Sequence, residues 1–177
     1  MTKNVLEAYL DQKSQFIIVL SGLPTVEVDK FAKILGTDLN ISVIFMKNYL
    51  LNETSKDIND YDINKLNIDI DNNKKKGIII SSFIFPKNIT KQHIDFHINL
   101  NITKQESLLR NPDIDKSIVF FYNDQIKNLF INRFLNFIKL DDNDISDKLF
   151  NMIIEYILSR LDDGNYSENI DSDIKVN

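Results

Sequence analysis

An α/β domain built on a mostly parallel sheet of about five strands, with helices on both faces, is the fold class this sequence predicts. Three observations predict it. Short β-branched and aromatic runs alternate with stretches whose apolar residues recur at helical spacing. The two strongest runs, QFIIVL and GIIISSFIF, are continuously apolar at their cores, as buried parallel strands are. No internal repeat or second domain interrupts the alternation from residue 1 to 161.

Gln15 to Leu20 is the first strand, ended by the Ser-Gly-Leu-Pro turn. Val26 to Leu39 places Val28, Phe31, Ala32, Leu35 and Leu39 on one helical face. Ile41 to Phe45 is the second strand. Asn52 to Asn73 is rich in Asp and Asn and predicts mainly loop, with room for a short helix at Ile63 to Leu66. Gly77 to Phe85 is a third strand closed by Pro86, and Ile94 to Leu100 alternates as a fourth, putting Asp95, His97 and Asn99 on one face. Thr103 caps a helix through Arg110, with Glu106 as its capping-box partner. Ser117 to Tyr122 fits a strand or the start of a helix. Asp124 to Arg133 has helical spacing and Phe134 to Leu140 that of a fifth strand. Ile145, Leu149, Ile153, Ile157 and Leu161 mark a final helix capped by Asp144.

Composition narrows the function classes. The chain has 177 residues, 43% of them hydrophobic, enough for one well-filled core. It contains no cysteine, so disulfides, thiolate metal sites and a Cys nucleophile are excluded. No apolar run reaches the roughly 20 residues that cross a bilayer, and residues 1 to 10 lack the pattern of a secretory signal, so no membrane partner and a cytoplasmic location are expected. Ile and Asn make up roughly a quarter of the chain, a bias of AT-rich genomes such as those of large viruses and protists; in a viral setting, host cytoplasm or virion would be the location. The net charge of −5 is uneven: five acids and one base fall in residues 162–177, which predicts an acidic, mobile tail after a nearly neutral body. With no basic stripe, nucleic acid is not an expected partner. Lys74, Lys75 and Lys76 fit a solvated loop.

IIVLSGLP followed by FAKILGTDLN resembles the opening of P-loop nucleoside and nucleotide kinases, the uridine-kinase-like proteins in particular. GIIISSFIFP and DFHINLNITKQESLLRN resemble the later strand and lid regions of the same kinases. The resemblance implies a P-loop-kinase-like sheet and a phosphate loop in the G-x-x-x-x-G-K-[ST] register, running from Gly22 through Thr25 to Glu27, Val28 and Asp29. Only its first glycine is kept. Glu27 stands where the second glycine lets amides wrap the phosphates, Val28 where the lysine reaches them, and Asp29 where the hydroxyl holds magnesium. A carboxylate about 4 Å from a phosphate charge costs roughly 4 kcal/mol at an effective dielectric of ~20. That weakens binding about a thousandfold. In structural terms Glu27 and Asp29 suit the first turn of a helix, whose dipole favours acids, with Thr25 as its cap.

The kinases' acid-acid-Phe-Tyr segment after the second strand corresponds to Met46, Lys47, Asn48 and Tyr49, and the acid that ends their third strand to Ser81 and Ser82. Tyr49 and, in the segment over the acceptor pocket, Asp57, Asp60 and Asp62 are candidate substrate contacts; Arg110, with Lys104, is a candidate lid remnant or an ordinary exposed charge. These departures lead to an expected pseudo-kinase that serves as a binding or scaffolding module, with no cofactor and with a protein partner or self-association as a homo-oligomer. One alternative is an active nucleoside or nucleotide kinase using ATP and magnesium, with Lys30, Lys33 or Lys47 supplying the missing charge. The other is an unrelated α/β interaction protein of intracellular or viral origin. His93 and His97 have metal-pair spacing only on a helix, and the carboxylates of residues 57–71 lack the calcium-loop pattern. Phe120, Phe121, Tyr122, Phe130, Phe134 and Phe137 are expected in the core, any exposed ones marking a partner surface.

Overall fold

A computed structural model describes residues 4–52, 60–86, 88–126, 131–136 and 141–174, with side chains described as far as residue 163. Its centre is β1 (Ile17–Gly22), buried along its whole length and paired in parallel on both sides. β3 (Ile78–Ser82) lies on one side with β2 (Ser42–Phe45) beyond it; β4 (Phe96–Asn101) lies on the other with β5 (Arg133–Asn136) beyond. The order β2-β3-β1-β4-β5 has four parallel ladders, so the sheet is parallel throughout.

The period-two alternation of strand side chains splits the core into two layers. Ile18 and Leu20 join Ile79 beneath α1 (Val5–Gln12), α2 (Val28–Leu39) and the buried residues Ile145, Leu149, Ile153 and Ile157 of α6 (Asp142–Ile174). Ile17 and Val19 join Ile44, Ile78 and Ile80 beneath α3 (Ile63–Asn73). Two further helices, α4 (Lys104–Arg110) and α5 (Lys116–Gln125), bridge β4 and β5. Thr103 caps α4 as expected, its side chain accepting from the Glu106 amide at 3.1 Å.

Several sequence expectations are corrected. The loop expected across residues 52 to 73 holds the eleven-residue α3: Leu66 and Ile70, one turn apart, are fully buried, and Asp62 caps the helix by accepting from the Lys65 amide at 3.0 Å. Burying two such side chains gives roughly 3–6 kcal/mol, enough to override the weak helix propensity of Asn and Asp. The N-terminal segment, given no element from sequence, forms α1 behind an Asn4–Glu7 capping box. Ser117 to Tyr122 resolves as helix. Arg133 is not the end of a helix but the start of β5, because its segment pairs with β4. The cap of α6 is Asp141, whose carboxylate accepts from the Asp144 amide at 2.8 Å, not Asp144 itself. That helix extends into the acidic segment as far as Ile174. Phe120, Phe121 and Phe134 are exposed rather than core, whereas Tyr122 is buried; Phe130 and Phe137 lie outside the described residues. Lys74, Lys75 and Lys76 form a 3-10 turn before β3, with Lys74 paired to Asp71 at 2.8 Å.

Asp95, at the entry to β4, fastens the layers at the far end of the sheet: its carboxylate accepts from the Ile17 amide at 2.8 Å and from the Tyr9 hydroxyl at 3.4 Å. Burial holds its pKa above the ordinary carboxylate value, although the Ile17 amide pulls the other way. A carboxyl whose folded pKa is raised ionises first in the unfolded chain, so its stabilising contribution is full at low pH and lost as pH rises through the folded pKa. Asp95→Asn keeps one acceptor oxygen, for the Ile17 amide, and removes the titration. Its stability relative to wild type should therefore increase between about pH 3 and pH 6.5, read by urea denaturation at both; a constant difference would refute the assignment.

Candidate functional site

The C-terminal ends of β1 and β3, the loop before α2 and the turn after β2 enclose a pocket of about 390 Å³. This is where ligands bind in open parallel sheets, outside the carboxyl ends of the strands. Leu23, Pro24, Met46, Leu50, Phe83 and Ile118 supply its apolar wall; Glu27, Asp29, Lys47, Tyr61, Ser81 and Ser82 supply the polar groups.

Gly22 is required by close approach. A Cβ there would stand 2.7 Å from Val26 Cγ2 and 3.0 Å from the Leu100 carbonyl oxygen. The chain folds so tightly over this glycine that Val26 and Val28 are buried against the strand end. Pro24–Val26 winds into a 3-10 turn in which the Val26 amide donates to the Leu23 carbonyl at 3.0 Å and the Glu27 amide to the Pro24 carbonyl at 3.2 Å. Pro24 has no amide to give. Two amides of this loop, those of Val26 and Glu27, are thus turned inward to bond within it, and the Pro24 position has none to offer an anion.

Glu27 adopts the left-handed conformation, φ 52° and ψ 47°. This is the backbone a glycine takes without cost and a side-chain-bearing residue takes at roughly 1–2 kcal/mol. The phosphate-loop pattern has its second glycine at this position, where this chain has glutamate. Glu27, not Thr25, is the N-cap of α2, and it caps without a side-chain bond. Thr25 Oγ1 lies instead 3.0 Å from Ser107 Oγ on α4, tying the loop to that helix.

Asp29 sits in the first turn of α2 and has both carboxylate oxygens engaged. Oδ1 accepts from the Ser81 hydroxyl at 2.6 Å, and Oδ2 pairs with Lys47 Nζ at 2.6 Å. Ser81 is brought there by the β1–β3 ladder, which sets it opposite Leu20. Lys47 stands on the 3-10 turn after β2, with Nζ 5.6 Å from the Phe45 ring centre. The other lysines considered from sequence face elsewhere: Lys30 bonds Asp142 and lies 3.8 Å from Glu27, and Lys33 covers the Phe45 ring on the outer face of α2.

The remaining predicted residues are spread more widely. Tyr49 is buried and its hydroxyl donates to Asp69 of α3 at 2.6 Å, so the phenol braces α3; burial and the Asp69 carboxylate push its pKa up. Tyr61, which bridges to the next residue, Leu50, reaches the pocket instead. Asp60 accepts from the Leu51 amide through its carbonyl at 2.6 Å and Asp62 caps α3, while Asp57 lies outside the described residues. Arg110 pairs with Glu106 at 3.3 Å on α4, and Lys104 Nζ sits 3.5 Å above the Phe120 ring; neither lines the pocket. Among the described residues no cluster of three or more His, Cys, Asp or Glu could hold a metal, and no helix is long and apolar enough to cross a membrane.

Behind the pocket runs a buried polar chain that sequence reasoning captured only in part. Ser21 Oγ lies 2.7 Å from His97 Nε2 and accepts from Asn99 Nδ2 at 2.9 Å; Asn99 Oδ1 accepts from the Tyr122 hydroxyl at 2.9 Å. The shared face of His97 and Asn99 was legible from alternation, but Ser21 across the ladder was not. Burial pushes the Tyr122 phenol up to about 12. Tyr122 stacks on Phe83 with ring centres 5.4 Å apart, so this network holds one wall of the pocket. Asp95 bonds Ile17 and Tyr9, at the opposite end of the strand.

No protein-family model matches the chain, and no curated protein matches it in sequence. Its fold is similar to that of thymidylate kinase from Candida albicans, at 13% identity over 79% of this chain and 91% of that one, with a TM-score of 0.59. It is also similar to shikimate kinase from Aquifex aeolicus, at 13% identity over 77% and 96%, with a TM-score of 0.50. The likeness shows the fold: a five-stranded parallel α/β sheet of the P-loop kinase type.

The strained Glu27 yields a direct measurement. Glu27→Gly should stabilise the protein by about 1 kcal/mol, because relief of the left-handed backbone outweighs the added freedom of the unfolded chain. An unchanged or lowered urea midpoint would show that the glutamate side chain is held by more than its exposed pairing with Lys30.

Proposed function

We propose that this chain is a catalytically impaired relative of nucleoside kinases, a pseudo-kinase that acts as a binding or scaffolding module. The observation that carries the reading is the tightened loop: the Val26 and Glu27 amides bond within the turn, Glu27 holds the glycine's conformation, and each oxygen of Asp29 has a partner within the protein. Phosphoryl transfer rests on positioning and charge neutralisation. With valine at the lysine position and serine at the end of β3, the described pocket supplies little of either. The buried Ser21, His97, Asn99 and Tyr122 serve as internal struts, since all four are sealed from solvent. A scaffolding role has a surface to use in the exposed Leu109 of α4 and Phe120 and Phe121 of α5.

The rival, an active kinase using ATP and magnesium, has one observation in its favour: Lys47 does line the pocket. A thermal-shift experiment separates the two. Wild type should melt at the same temperature with and without millimolar ATP and magnesium. The triple variant Glu27→Gly, Val28→Lys, Asp29→Ser should gain a shift of roughly 5–11 °C if ligand reaches about a hundred times Kd. A wild-type shift of that size would overturn the proposal, and a folded triple variant that ignores ATP would remove its premise of a former phosphate site.

A further inference from the structure

The pocket contains one carboxylate and one hydroxyl in hydrogen-bond contact, but on exchanged elements. In P-loop NTPases magnesium is held by the hydroxyl of the loop and an acid from a neighbouring strand. Here the acid, Asp29, is on the loop's helix and the hydroxyl, Ser81, is on the strand. The pair survives in kind, yet it does not fit a magnesium ion. Magnesium keeps several waters and takes one or two free carboxylates beside phosphate oxygens. Asp29 is the only acid of the described pocket besides Glu27, whose side chain is 62% exposed and paired toward Lys30. Each oxygen of Asp29 already has a partner: the Ser81 hydroxyl on one and the Lys47 ammonium on the other.

We infer that Lys47 is the resident cation of this pocket, occupying with its ammonium the place beside Asp29 that a divalent ion would need, so that whatever binds there does so without metal. The inference rests on reading the pocket as a former phosphate site and adds what replaced the ion. At 2.6 Å the Lys47 contact lies at the short end of charge-assisted hydrogen bonds. Its carrier, the turn after β2, is fixed by the burial of Met46 and Tyr49 on either side. The ammonium is thus delivered by the fold. A second cation at the same carboxylate would face like-charge repulsion from a lysine that its anchoring turn keeps close. The three ionised groups that line the pocket, Glu27, Asp29 and Lys47, sum to −1, which together with the apolar wall suits an uncharged small molecule better than a phosphate ester.

The test uses manganese alone as the probe, with free Mn²⁺ followed by its paramagnetic resonance signal in the full-length protein. Lys47→Met should bind Mn²⁺ at least about tenfold more tightly than wild type, and adding Asp29→Asn should abolish the gain. Lys47→Arg, which keeps the charge, should stay at the wild-type level. Because the Lys47 side chain is 62% exposed, the variants should fold, as circular dichroism would check, and Lys47→Gln carries the same expectation as Lys47→Met. No gain in either neutral variant, or a gain that survives Asp29→Asn, would overturn the inference. Manganese binding to wild type that Asp29→Asn removes would overturn it as well. Failure of the non-catalytic reading registers separately, as an ATP-dependent melting shift of the wild type.

Discussion

The burial of β1 on both faces and both edges is the constraint on which this structure depends. A strand with no wet face needs neighbours on each side and a helical layer above and below, and the chain supplies β3, β4, α2 and α3 for those places. Because β1 ends at Gly22 in the middle of the sheet, the loop that follows is forced to the centre of the sheet's carboxyl edge. That position is where open parallel sheets bind their ligands, whatever residues the loop carries. Catalysis is a separate requirement, and it depends on charges that the strand does not specify.

The loop is closed on itself by bonds within the protein. Free amides, a glycine and a lysine would leave an open, positively polarised cradle that costs stability until a ligand fills it. In this chain a 3-10 turn takes up the Val26 and Glu27 amides, the Val26 and Val28 side chains cover Gly22, and the Asp29 carboxylate meets Ser81 and Lys47. The Asp29–Lys47 pair is partly exposed, so its worth in stability is below about 1 kcal/mol. The remaining strain, the left-handed Glu27, persists because the turn before it and the helix after it dictate its backbone.

The buried chain of Ser21, His97, Asn99 and Tyr122 shows the same economy. Each polar group finds a partner inside, and among the described residues no buried side-chain polar atom is left unsatisfied. A serine 2.7 Å from a histidine suggests nucleophilic chemistry on distance alone. Here the pair is buried, with the Phe85 ring edge-on to His97, and ties β1 to β4, which is a packing role.

Sequence by itself determined the layered α/β class, the central strand, α2, the cap of α4 and the apolar stripe of α6, because each is written in local periodicity and in side chains that reach only a few residues along the chain. It also determined that Gly22 to Asp29 lacks the lysine and the second glycine of a phosphate loop. Tertiary structure alone decided the rest. α3 forms because Leu66 and Ile70 find the sheet, not because Asn and Asp favour helix. Arg133 enters a strand because β4 offers an edge. The partners of Asp29, at Ser81 and Lys47, come from 52 and 18 residues away, joined by the register of three parallel strands. Such pairings depend on which strand lies beside which, and one-dimensional spacing carries no record of that order.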